Sequence, residues 1–224
     1  MVKKIIFILT AIVCVISLTS CFDFVEEIDF KSNGSGKIKG TMNLSKSKTK
    51  LASLMKLDKI DGFKIPKEAE IRQEMADVVR ILKQTKGISN VNHQLDFQNF
   101  IAFISCDFEN AQALNAFNNA LSVHFKTKLS NYSNYAYDRK NKVFKRDFKL
   151  ATDAKTEFAK LSAEHQKSFD QAFFTSIYRF DTNIKSKSNT NSKIASNQKA
   201  IMLKTNLPSL INSKTTLGNQ IQLN

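Results

Sequence analysis

Three cysteines, three histidines and one dense basic run are the residues of this 224-residue chain whose types can do chemistry. A thiolate is a nucleophile for alkyl and acyl transfer, and histidine serves proton transfer or metal ligation. His93, His124 and His165 fall on different expected elements. The stretch "AEHQKSFD" around His165 lacks the His-Glu-x-x-His spacing that sets two zinc ligands on one helical face. The stretch "NGSGK" fails as a phosphate loop: that motif needs glycine five places before Gly36 and Ser or Thr after Lys37, where Lys31 and Ile38 stand. It also fails as a nucleophile elbow, because Gly34 and Gly36 flank Ser35 directly. No acidic pair has a context suited to general acid–base work. Cys106 alternates with Ile104 and Phe108 and reads as a packed thiol. The expectation is a protein with no catalytic residue, no metal and no cofactor. Two candidates remain: Cys21, and the run Arg139, Lys140, Lys142, Lys145, Arg146 and Lys149.

Cys21 stands at the end of the opening "MVKKIIFILTAIVCVISLTSCFDFVEEIDF". Lys3 and Lys4 precede an uncharged run, Ile5 to Leu18, too short for the about 20 residues a spanning helix takes. Asp23, Glu26 and Glu27 close it off, so it reads as a secretion signal over 1–20. Cys14 lies behind bulky Ile12 and Val13, whereas Cys21 follows Leu18-Thr19-Ser20. That pattern resembles the lipobox of bacterial lipoproteins. The resemblance implies cleavage between Ser20 and Cys21, diacylglyceryl attachment to the Cys21 sulfur and acylation of the new amine. With two or three chains on Cys21 the membrane attachment is lasting, since each buried methylene contributes about 0.8 kcal/mol.

Composition limits the rest. There are 34 Lys plus Arg against 20 Asp plus Glu, and removal of 1–20 takes Lys3 and Lys4 and no acid. A basic protein outside the cytoplasm meets anionic lipid or glycan rather than nucleic acid, and no nucleic-acid-binding motif is present. With Cys21 lipidated, Cys106 has no disulfide partner in the mature chain. Apolar residues at 42% and 18 Phe supply a core.

The elements follow from periodicity. "FDFVEEIDF" alternates with Phe22, Phe24, Ile28 and Phe30 on one face and Glu26 as the exception; "SNGSG" turns the chain, and Ile38, Gly40, Met42 and Leu44 share a face on return. A short helix is expected over "SKSKTKLASLMKL". A longer one follows Pro66, with the stripe Ile71, Met75, Val78, Val79, Leu82 and its end at Gly87. A second hairpin turns at Gln98-Asn99 and returns on a strand apolar on both sides, expected to be interior. Asn110 caps a helix with the stripe Leu114, Phe117, Leu121 and Phe125. Then come a basic hairpin at "YAYDRKNKVFKRDF", a helix from Ala154 to about Ala172, and strands at "FFTSIYRFD", "AIMLKTNL" and "TTLGNQIQL". A polar run at about 183–198 is expected as a flexible loop, and 130–134 as a possible subdomain boundary in one domain over 21–224. The fold class is α+β: an antiparallel sheet built from hairpins with helices on one face.

The lipobox together with "EEIDFKSNGSGKIKGTMNLSKSKTKL", "KGISNVNHQLDFQNFIAFISCDF" and "SIYRF" resembles a group of lipoproteins from Bacteroidetes, especially flavobacteria, that carry no assigned activity. The strand–GSG–strand start also resembles LppM-type lipoprotein domains, associated with envelope lipids. The surface-export signal of Bacteroidetes is a Ser- or Lys-led acidic run after the cysteine. Phe22-Asp23-Phe24 departs from it, so the periplasmic face of the outer membrane is expected. The functional expectation is a non-enzymatic binding or assembly-accessory lipoprotein, its partner a protein, lipid or glycan of the envelope. The alternative is an envelope hydrolase with an unrecognised site. The basic run 139–149 is a candidate contact with an anionic surface; the alternative, favoured by the interleaved Asp138 and Asp147, is a solvated hairpin whose lysines keep an edge strand from pairing with neighbours.

Overall fold

A computed structural model describes residues 22–60, 62–124, 134–149 and 152–224. The fold grows from the first hairpin. β1 (Asp23–Phe30) pairs with β2 (Gly36–Asn43) in full antiparallel register, Ile28 opposite Ile38. At Gly36 the strands come so close that a Cβ would lie 2.1 Å from the Asp29 carbonyl oxygen and 2.5 Å from the Phe108 ring, so only glycine fits. α1 (Lys48–Leu54) follows a single 3-10 turn, and β3 (Lys59–Ile60) and β4 (Phe63–Lys64) form a small ribbon.

The stripe after Pro66 becomes α2 (Glu68–Gln84), which buries Val78, Val79 and Leu82 but leaves Ile71 and Met75 half-buried. Glu70 closes its first turn by accepting a hydrogen bond from the Lys67 N–H at 2.9 Å. Gly87, at φ +79°, ends the helical segment and starts β5 (Ile88–Asp96). β6 (Ile101–Phe108) returns between β2 and β5, an interior strand as its two apolar faces require. Asn110 caps α3 (Ala111–His124) by accepting from the Ala113 N–H at 2.9 Å. The later part of the chain forms β7 (Asn134–Asp138), β8 (Val143–Asp147), α4 (Thr152–Lys160), α5 (Ala163–Lys167), β9 (Phe173–Phe180), β10 (Ile184–Lys187), β11 (Lys193–Ile194), β12 (Ala200–Asn206), α6 (Leu207–Ile211) and β13 (Asn219–Leu223).

The architecture is α+β. A seven-stranded sheet has the order β11-β12-β9-β1-β2-β6-β5, antiparallel except that β1 and β9 run parallel. α2 and α3 pack at its β5–β6 side. Over β1 and β9 lies a second sheet, β10-β13-β8-β7. The two meet through an aromatic cluster: Phe30 stands 4.8 Å from Phe144 and 4.9 Å from Tyr137, ring centre to ring centre, and Phe144 is 5.7 Å from Phe180. On the opposite face of the large sheet Arg179 bridges Glu27 at 2.6 Å and Asp29 at 3.1 Å.

Two expectations change. The helix expected from 154 to 172 is broken at Ser162, which sits extended and caps α5 by accepting from the His165 N–H. The polar run 183–198, expected as a flexible loop, is instead built into both sheets through β10 and β11. Asn189 and Ser192 are buried there, and the Asn189 amide donates to the carbonyls of Thr216 and Gly218 at 3.1 and 2.8 Å. Polar composition reads as a loop, but asparagine side chains can satisfy a buried backbone as well as water does.

Candidate functional site

The anchor residue Cys21, the cleavage residue Ser20, the rest of 1–20 and the boundary residues 130–133 lie outside the described residues. So do residue Phe125 and the side chains of Leu121 and His124. The fold is in place from the very next residue after Cys21. The Phe22 carbonyl accepts a hydrogen bond from the Phe173 N–H at 3.0 Å, and its ring meets Phe169 edge-on at 5.2 Å. Phe169 in turn meets Phe158 of α4 at 5.4 Å. β1 thus enters the sheet between β2 and β9 with no tether between Cys21 and the folded domain.

The basic run divides in space. Arg139, Lys140, Lys142, Lys145 and Lys149 are exposed. Arg139, Lys140 and Lys142 form the tip of the β7–β8 hairpin, and that tip lies beside the β1–β2 turn: the Tyr137 hydroxyl donates to the Ser32 carbonyl at 3.2 Å, and the Tyr137 ring abuts Gly34. The tip is therefore a strand length from Phe22, roughly 23 Å at about 3.3 Å per residue.

Arg146 departs from the expectation altogether. It is 3% exposed and points between the sheets, so it cannot touch a surface. Its Nη1 lies 2.9 Å from Glu26 Oε1, and donates to Ser176 Oγ at 2.8 Å and to the Tyr178 hydroxyl at 2.6 Å; Nη2 donates to Glu26 Oε2 at 3.2 Å. Tyr178 donates onward to Glu26 Oε1 at 3.0 Å. The rings of Tyr135, Phe148 and Phe174 surround the guanidinium at 5.6 to 5.8 Å. Burial alone would lower the Arg146 pKa, but Glu26 and the two tyrosines hold it above its ordinary value. Burial pushes the Tyr178 and Tyr135 phenols up. Among the described residues the Tyr135 hydroxyl has no partner in good hydrogen-bond geometry, although it lies near enough to Glu26 for the carboxylate to add to the upward push on the phenol.

Strand registry explains the cluster. On β8, Phe144 and Arg146 share the inward face, and on β1, Glu26 replaces an apolar residue between Phe24 and Ile28. Sequence reasoning noted the odd Glu26 and the dense charge around Arg146 but did not join them. The usable signal was one acid and one base, each alone in an otherwise apolar alternating row. A guanidinium bonded on both Nη atoms and walled by rings is a bolt between two sheets. The groups nearest to an acid–base arrangement, Glu26 and two tyrosines, are closed around it.

The remaining candidates stay apart. His93 is exposed on β5, and His165 is half-buried with its ring 2.8 Å from Ser162 Oγ. Cys106 is fully buried, and burial, reinforced by Asp107, pushes its thiol up to about 12. Among the described residues no group of three His, Cys, Asp or Glu is placed to hold a metal, and no helix is long and apolar enough to cross a membrane. A shallow depression of about 350 Å³ lies along β12 between Asn191, Lys204, Asn206 and Ser209, with no carboxylate or histidine among the described residues of its wall.

No protein-family model matches the chain, and no curated protein matches it. A similar solved structure is the NMR structure of the folded domain of LppM from Mycobacterium tuberculosis. It is 10% identical, with 92% of this chain and 91% of that chain covered and a TM-score of 0.46. At that identity no residue's role transfers.

Proposed function

We propose that this chain is a lipoprotein precursor whose α+β domain is held on an envelope membrane by lipid on Cys21 and binds a partner there without catalysing a reaction. The observation that carries the reading is the start of the fold at Phe22, tied to Phe173 and Phe169 directly after the lipobox cysteine. A signal ending at Ser20 leaves every described element intact, and a thioether on the Cys21 sulfur leaves the domain seated at the bilayer. Diacylglyceryl attachment plus N-acylation gives the two or three chains that durable anchoring takes. The likeness to flavobacterial lipoproteins and the Phe-Asp-Phe sequence after the cysteine favour the periplasmic face of the outer membrane. The non-enzymatic part of the reading is supported by the saturation of Glu26, Tyr178 and Arg146 among themselves. The tip bearing Arg139, Lys140 and Lys142 faces away from the anchored end, so an anionic partner of that tip, glycan or protein, is met on the side remote from the anchoring leaflet.

The test is metabolic labelling with radioactive palmitate in a bacterial host. The wild-type product is expected to take up label and sediment with membranes, and Cys21→Ser to do neither. Label entering both forms equally would falsify the assignment. For the partner, chemical cross-linking from a photoreactive group at Lys140 in the lipidated chain is expected to trap an envelope component. Hydrolytic turnover of an envelope substrate by the same chain would replace binding with catalysis.

A further inference from the structure

Which side of the domain meets the bilayer follows from how the chain is tied around Phe22. With only Phe22, itself tied to Phe173 and Phe169, between Cys21 and β1, the lipid holds one end of the strand at the headgroups. The elements at that end are fixed by contacts. Leu44 N–H donates to the Phe100 carbonyl at 2.9 Å, which sets the start of the α1 segment beside the β5–β6 turn. Lys46 lies 3.5 Å from Asp23 at the start of β1. Lys50 donates to Ser168 Oγ at 2.9 Å, joining α1 to the end of α5. Lys67 donates to the Leu57 carbonyl at 2.9 Å, holding the β3–β4 segment against the first turn of α2.

This end has the composition of a membrane-contact surface. From 46 to 67 lysine stands at 46, 48, 50, 56, 59, 64 and 67, against Asp58 and Asp61 alone. Lys48, Lys56, Lys59 and Lys64 are exposed. Leu57 is 47% exposed among them, and Met42, near the same end of β2, is 46% exposed. An apolar side chain inside a ring of lysines is what an anionic interface takes up, with the lysines at headgroup depth and the leucine below them. Acids are present too: Asp58 pairs with Lys67 at 2.9 Å, Glu70 pairs with Lys64, and Glu157 pairs with Lys160 at 2.6 Å.

We propose that the domain stands end-on upon the bilayer, with the α1 and β3–β4 segment as its contact face, its lysines binding anionic phospholipid headgroups and Leu57 entering the interface. This rests on the lipid-anchor reading of Cys21. It also moves membrane contact away from the basic hairpin, which stands at the opposite end of β1.

The experiment uses the full lipidated chain reconstituted into vesicles of phosphatidylcholine and phosphatidylglycerol that contain spin-labelled lipid. Leu57→Cys and Lys140→Cys variants each carry a thiol-linked fluorophore. Buried Cys106 is a poor competitor for label, and the wild-type chain measures any residual uptake. Quenching at position 57 is expected to exceed that at 140 by at least threefold. The ratio is expected to fall, to what the anchor at Cys21 alone maintains, when phosphatidylglycerol is left out, or when Lys48, Lys56 and Lys59 are all changed to Ser. Equal quenching at the two positions, or stronger quenching at 140, overturns the orientation. A ratio unchanged without anionic lipid overturns headgroup binding. A wild-type chain whose Cys21 takes up the thiol-reactive fluorophore, and so carries no lipid on its sulfur, and that stays off the vesicles refutes the anchor itself, and the orientation falls with it.

Discussion

Changing Glu26 to Gln keeps its volume and removes its charge, which takes from the Arg146 guanidinium, held between two sheets, the carboxylate it pairs with at 2.9 Å. In the native protein that guanidinium has contacts to Glu26 at 2.9 and 3.2 Å and bonds to Ser176 and Tyr178 at 2.8 and 2.6 Å. At 3% exposure it has no route to water without parting β8 from β1 and β9. Breaking one partner of a buried pair costs about 3–5 kcal/mol, mostly the penalty of the charge left behind. We expect about 3 kcal/mol for Glu26→Gln, since the hydroxyls of Ser176 and Tyr178 still accept from the guanidinium. With a urea slope of about 2 kcal/mol/M, the unfolding midpoint falls by roughly 1.5 M. The chain has no Trp, so tyrosine emission and far-ultraviolet dichroism report the transition; two of its four tyrosines, Tyr135 and Tyr178, line the cluster. The double variant Glu26→Leu with Arg146→Met is expected to regain most of the loss, because no charge is then stranded. A midpoint shift below about 0.5 M for Glu26→Gln would mean that Arg146 reaches solvent, and the account of the bolt would be wrong.

The other expectations rest on single observations. Tyr135→Phe deletes a buried hydroxyl that has no partner in good geometry among the described residues, so the protein should gain about 1 kcal/mol in the same urea assay, whereas a loss would show that the hydroxyl bonds Glu26. Gly36→Ala forces a methyl against the Asp29 carbonyl and the Phe108 ring, with an expected cost of about 3 kcal/mol; a thermal midpoint equal to wild type would contradict the close approach of β1 and β2. Cys106, its thiol raised to about 12 by burial, should resist iodoacetamide at pH 8 until urea unfolds the chain, with mass spectrometry of the Cys106 peptide as the readout. Alkylation at the same rate in native and unfolded protein would place it at the surface.

Local order was legible residue by residue. Alternation placed both N-terminal hairpins, because a strand with one buried face must repeat every two residues. The 3.6-residue stripe and Gly87 placed α2, and the side chain of Asn110 marked the start of α3. The opening segment, short and bounded by charge, pointed to an anchor at Cys21 without help from any fold. Each of these signals is carried by neighbours in the chain.

What the amino-acid order left undecided was every choice between partners far apart in it. β1 pairs in parallel with β9, with Glu26 opposite Ser176, and nothing in either strand specifies the other. Periodicity shows that Phe144 and Arg146 share a face but does not say which face looks inward, so a density of positive charge was read as surface. Only a second sheet lying over β1 turns that row toward Glu26. The same closure carries the basic tip to the end of the domain away from Phe22. Burial is a property of the packed whole: the electrostatics of a charge depend on which elements come to rest on it, and here Glu26 lies 120 residues from Arg146 in the chain.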